Sequence, residues 1–159
     1  MQKIILGLAA LLLSFSISYA QTTNDPHIIY SGGIIASRYL GVEAGVLYGT
    51  YVSSSCSSGI LVGYKFSSEA YRSPRSFILA PKIGYEIDVL TVGFRGSIAD
   101  YTDFNKHDFR IIPEAGFTLA GLMDIFYGYN IPITATKLPE TPGHRLTVSV
   151  NIDPRFPGW

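Results

Sequence analysis

Nine charged side chains recur along the chain with a spacing that places them together: Glu43, Lys65, Lys82, Glu86, Arg95, Arg110, Glu114, Asp124 and Arg145. Five are basic and four acidic. Such a set can line an ion path, or pair with itself and close that path. Near-balance favours pairing, because buried charges survive only when partnered. The expectation is a structural salt-bridge network, with a porin-like conducting channel as the alternative. Other reactive groups are sparse. His27 lies near Asp25, His107 beside Asp103 and Asp108, and His144 opens a polar–apolar alternation. A lipid hydrolase would need a serine within hydrogen-bond reach of a histidine base. Ser149 is five residues from His144, which puts the two on opposite faces of a strand. The chain has no G-x-S-x-G element and no metal-ligand spacing. Catalytic, cofactor-binding and metal residues are therefore expected to be absent, and no cofactor is implied. Asp100, Asp103, His107 and Asp108 are candidates for a loop cation site, but read more simply as solvated loop charges. The single cysteine, Cys56, sits among serines with no histidine nearby and reads as structural or incidental.

Eight segments must carry the nine charges: about 27–36, 39–49, 59–67, 76–87, 89–99, 108–118, 121–132 and 144–152. They are rich in Tyr, Phe, Ile, Val and Gly, show no 3.6-residue period, and are punctuated by turn residues. Alternation is clearest in His144–Ile152, where every second residue is apolar. Met123, Ile125, Tyr127, Tyr129 and Ile131 share one strand face, and Asp124, Phe126, Gly128 and Asn130 the other. Successive side chains on a strand point to opposite sides, so this is a sheet with two different faces. All nine charges fall on one face. The other holds Tyr48, Tyr64, Phe66, Phe77, Tyr85, Phe94, Phe117, Tyr127 and Tyr129 and no charged group.

A soluble barrel or sandwich would turn the aromatic face inward. A membrane barrel would turn it to lipid and line its lumen with the charges. The aromatic face is too bulky for an eight-stranded interior, which side chains only just fill. The charged face is small, because Gly41, Gly45, Gly49, Gly63, Gly84, Gly93, Gly116 and Gly128 lie on it. Connections alternate between tight ones, at Asp88 and Ala120, and longer polar ones, at Ser68–Arg75, Asp100–His107 and Thr134–Gly143. The 50–58 link is longer than this rule predicts. Pro81 and Pro113 fall inside strands, where each removes a ladder hydrogen bond, so a bulge or local fraying is expected at both.

The N-terminus reads as a cleaved signal peptide over residues 1–20: Lys3, an apolar run Ile4 to Ile17, then Ser18-Tyr19-Ala20 before the cut. Residues 21–26 form a short lead-in, 27–152 the barrel and 153–159 a tail. Only 15% of the chain is charged while 47% is hydrophobic, with mean hydropathy +0.25. Soluble surfaces carry about 25–35% charged residues, so something other than water is expected to cover part of this one. The near-neutral charge argues against nucleic acid as a partner.

The signal peptide, the eight alternating segments, and Tyr127-Gly128-Tyr129-Asn130-Ile131-Pro132 with His144-Arg145-Leu146-Thr147-Val148-Ser149-Val150 resemble the family of small eight-stranded outer-membrane β-barrel proteins. The resemblance implies an all-β, antiparallel up-and-down transmembrane barrel in the outer membrane of a Gram-negative bacterium, with both termini in the periplasm. Its implied partners are outer-membrane lipid, the assembly machinery that reads a terminal aromatic, and an unidentified envelope protein. Trp159 is terminal and aromatic, and Pro154 and Pro157 place it beyond the last strand. The function expected is a non-enzymatic structural or interaction role with a plugged lumen. The alternatives are a soluble exported barrel binding a small apolar ligand, with Tyr64, Phe94 and Tyr127 inward, and an outer-membrane lipid hydrolase.

Overall fold

The computed structural model of the chain describes residues 25–54, 58–119, 121–135, 138–141 and 143–155. The leader (1–20), residues 21–24, Cys56, Ala120 and the end of the tail with Trp159 lie outside the described residues. Nine strand elements follow in order: β1 (His27–Ala36), β2 (Leu40–Ser54), β3 (Ser58–Arg72), β4 (Phe77–Val89), β5 (Val92–Thr102), β6 (His107–Leu119), β7 (Met123–Tyr129), β8 (Ile131–Pro132) and β9 (His144–Ile152). Among the described residues there is no helix. β7 and β8 are one strand interrupted at Asn130, since both pair with β6 in a single register. Each strand pairs antiparallel with the next, and β1 against β9 closes the circle. The result is a closed eight-stranded antiparallel barrel.

The period-2 pattern fixes the strands, and pairing fixes their length. β2 and β3 run further than the sequence suggests, to a Ser54↔Ser58 pair. The expected long 50–58 link is therefore mostly strand. The same extension shortens two expected loops, to 73–76 and 103–106, and only 133–143 remains long. A partner strand supplies backbone hydrogen bonds to polar residues that would otherwise read as loop. The β4–β5 turn is Leu90-Thr91, one residue pair beyond Asp88, with Leu90 at φ 60° where glycine is the usual occupant.

The prolines produce gaps and no bulge. The β4–β5 register is unchanged on either side of Pro81, but the pairs between Leu79↔Thr102 and Lys82↔Ala99 are missing. On the β7/β8 side of Pro113 the ladder is likewise interrupted between Ile111↔Ile131 and Glu114↔Gly128. Proline lacks the donor, so the ladder skips it without shifting register.

Inward and outward positions alternate strictly, as in the exposed–buried pattern of β9. At the loop end the interior is packed by Tyr71, Ile78, Ala80, Ala99, Tyr101 and Ile112, with Leu138 folded in from the 133–143 loop. Toward the turn end Ile29, Leu47 and Leu61 form a second apolar layer. Some strands approach so closely that only glycine fits between them. A Cβ on Gly116 would lie 1.9 Å from the Ile125 carbonyl oxygen, and one on Gly49 2.1 Å from that of Val62.

Candidate functional site

Odd- and even-numbered inward positions of successive strands converge between the two apolar layers. All nine charges singled out in the sequence point into the interior, each buried. Eight groups form a closed alternating ring. Lys65 lies 3.7 Å from Glu43, which accepts from Lys82 at 2.9 Å. Lys82 reaches Glu69 at 2.7 Å, and Glu69 accepts from Arg145 at 2.7 Å. Arg145 meets Glu114 at 3.2 Å, and Glu114 stands 3.6 Å from Arg95. Arg95 donates to Glu86 at 2.6 Å, and Glu86 returns to Lys65 at 3.4 Å. Four cations alternate with four carboxylates, so no ring member is a lone buried charge. Tyr101 donates to Glu69, Thr147 donates to Glu114, and the Arg95 guanidinium lies 4.6 Å over the Phe126 ring.

Arg110 stands apart at the loop end. Its Nε and Nη2 both donate to Asp108 Oδ2, which also accepts from the backbone of Leu138, while Arg110 reaches the Thr141 carbonyl. Beside them, the Ser73 and Ser76 hydroxyls both donate to Glu140, which they hold below the usual carboxylate range. The long loop is thereby tied across the barrel mouth.

Three acids go beyond the set read from sequence: Glu69, Asp88 and Asp108, each buried. Glu69 lies in what reads as loop, although it continues the face of Lys65 at even spacing. Asp88 reads as a turn residue, and Asp108 as a solvated loop charge. Within the described strands the interior thus holds five basic and seven acidic groups, correcting the near-balance expected of it; an eighth buried acid, Asp153, follows the last strand and pairs with His27. The four candidates for a loop cation site are not brought together. Asp108 points inward, Asp100 pairs with His107 at 2.8 Å outside, and Asp103 caps the 103–106 turn through the Asn105 and Lys106 amides. Those amides lower the Asp103 pKa. Ser149 is buried and His144 is exposed, on opposite sides of the wall. His144 instead contacts the Tyr127 hydroxyl. His27 bonds to Asp153 at 2.7 Å and touches Arg155, latching the first strand to the chain after the last.

All nine aromatics of the other face are outward and exposed, from Tyr85 at 39% to Phe117 at 73%. Tyr64 and Tyr85 pack edge to face, 5.1 Å apart. Among the described residues, the strands' outward positions carry no Lys or Glu. Arg72 and Asp100 stand near the loop rim. Fold and interior together define a closed barrel with an apolar outer wall and a buried, ion-paired interior. Comparison with models of known families, with characterised proteins and with solved structures finds no match to the chain.

Proposed function

We propose that this chain is an integral outer-membrane β-barrel of a Gram-negative bacterium, exported behind a signal peptide cleaved near Ala20, with a non-enzymatic structural or interaction role. The observation that carries the reading is the inverted polarity of the wall: charges inside, large apolar side chains outside. In water that arrangement exposes a continuous apolar surface far beyond the few hundred Å² tolerated by soluble monomers. In lipid it is the ordinary one. The dimensions agree. An 11-residue strand such as β5 is roughly 36 Å long and, tilted by about 45°, rises about 26 Å, close to the apolar band of such barrels.

The alternatives fit less well. A ligand-binding soluble barrel wants Tyr64, Phe94 and Tyr127 around an internal cavity, yet they are 58%, 58% and 56% exposed. A lipid hydrolase lacks its serine–histidine pair at Ser149 and His144. The partners in this reading are outer-membrane lipid, the assembly machinery during insertion, and a further envelope protein. Cell fractionation with a heat-modifiability gel tests it. The protein is expected in the outer-membrane fraction, migrating faster unheated than boiled. Recovery in a soluble fraction without detergent would overturn the proposal.

A further inference from the structure

Among the described residues, the ring and the Arg110–Asp108 pair account for every buried basic group inside the barrel. Two carboxylates are left without a cation, Asp88 and Asp124, and they are neighbours. One ligand atom from each, with one from Glu86, lie within 4.8 Å of one another. Both Asp88 oxygens are buried, as is Asp124 Oδ1, and none of the three has a hydrogen-bond partner within the protein. Asp88 is the buried, wholly unpartnered side chain at this place, 0% exposed. Asn151 on β9 braces its neighbours: its amide nitrogen donates to Asp124 at 2.9 Å, to the Gly121 carbonyl at 3.1 Å and to Glu86 at 3.5 Å.

We propose that Glu86, Asp88 and Asp124 form a binding site for a divalent cation, calcium before magnesium, at the turn end of the lumen. The donor set is all oxygen, which suits a hard cation. Calcium accepts carboxylates in flexible, irregular geometry, whereas magnesium demands a near-ideal octahedron at about 2.1 Å and gives up its water reluctantly, which a fixed set of three buried carboxylates does not favour. Glu86 is oriented for the role: Arg95 holds its Oε2, leaving Oε1 turned toward Asn151. Charge agrees. Within the described strands seven acids face five bases, and the two negative charges in excess, those of Asp88 and Asp124, are what one divalent ion neutralises. Access lies at the rim, since Asp88 is two residues from the Leu90-Thr91 turn and Asp124 two from Leu122. The site depends on the barrel and not on what surrounds it, so it stands or falls separately from the membrane reading.

The chief competitor is a proton shared by Asp88 and Asp124, and the test separates the two. Folded protein in a zwitterionic detergent, free of anionic headgroups, is titrated with CaCl2 and with MgCl2 near neutral pH, by calorimetry and by thermal unfolding. The expected result is one calcium per barrel with a dissociation constant on the order of 10⁻⁴ M, a raised unfolding midpoint reversed by chelator, and weaker magnesium binding. Asp88→Asn and Asp124→Asn should remove the calcium response, and the loop variant Asp103→Asn should keep it. Should the lumen variants fail to fold, hydrogen exchange on the wild-type protein replaces them. Calcium should then slow exchange at Leu90–Gly93 and Gly121–Asp124. No calcium response at millimolar concentration, a response retained by the lumen variants, or protection confined to the loop rim would each overturn the proposal.

Discussion

Replacing Arg95 by leucine removes the central cation of the charge ring. Its side chain is fully buried, bonds to Glu86 at 2.6 Å, stands 3.6 Å from Glu114 and covers the Phe126 ring. Breaking a buried pair from one side typically costs about 3–5 kcal/mol. Two features of the ring pull in opposite directions. Glu86 keeps Lys65 at 3.4 Å and Glu114 keeps Arg145 at 3.2 Å, which lowers the cost. Loss of the cation–π contact raises it by roughly 0.5–2 kcal/mol. The expected destabilisation is therefore about 3–5 kcal/mol, read as urea unfolding from lipid vesicles. Adding Glu86→Gln should recover part of it, with a coupling of about 0.5–3 kcal/mol between the two sites. Ile98→Arg is the control on the outer wall, at mid-strand, where Ile98 is 50% exposed. A charge there should cost about 2–4 kcal/mol in a bilayer. Val92 is a poorer choice, because it begins β5 beside the turn and lies near an interface. If Arg95→Leu changed stability by less than about 0.5 kcal/mol, the value usual for an exposed site, the ring would not be a buried network. If Ile98→Arg were equally harmless, the wall would be facing water.

Three further outcomes follow from the geometry. Purified protein in planar bilayers should show no stable single-barrel openings, because the ring and the two apolar layers fill the lumen; sustained high-conductance steps would refute the plug. Gly116→Val should prevent or severely slow formation of the compact, heat-modifiable form, since its Cβ would meet the Ile125 carbonyl at 1.9 Å; overpacking by less than this already costs about 1–3 kcal/mol, so normal folding would show that β6 and β7 do not approach as described. Glu140 holds the 133–143 loop as a carboxylate whose pKa is lowered by Ser76 and Ser73. The loop contact is therefore present above the ordinary carboxylate range and is lost as pH falls through the lowered value. Hydrogen exchange at Leu138 and Thr141 should speed up in acid and in Glu140→Ala at neutral pH, and unchanged exchange in both would dismiss the tie.

The sequence by itself determined the strands and their two faces. Alternation is local and repeats every two residues, so Arg145, Thr147 and Ser149 separate from Leu146, Val148 and Val150 without knowledge of any partner. That locality is also why all nine charges chosen from the pattern prove to share the interior. Strand ends were less legible. Glu69 and Asp108 read as loop residues, and Asp88 as turn, because polar residues near a strand end look the same whether or not a neighbouring strand continues the ladder. Extending the even spacing Lys65, Ser67, Glu69, Tyr71 by two steps would have found Glu69. Only the tertiary structure decided which charges meet. Lys82 on β4 and Glu43 on β2, which are not neighbouring strands, are 39 residues apart, and Arg145 and Glu69 are 76 apart. Their contact is set by the stagger of strands around a closed circle, and that stagger is fixed only when β1 finds β9. The two unmatched carboxylates, Asp88 and Asp124, emerge at the same moment. They become neighbours through closure, and they remain unmatched because the ring has already used every nearby cation.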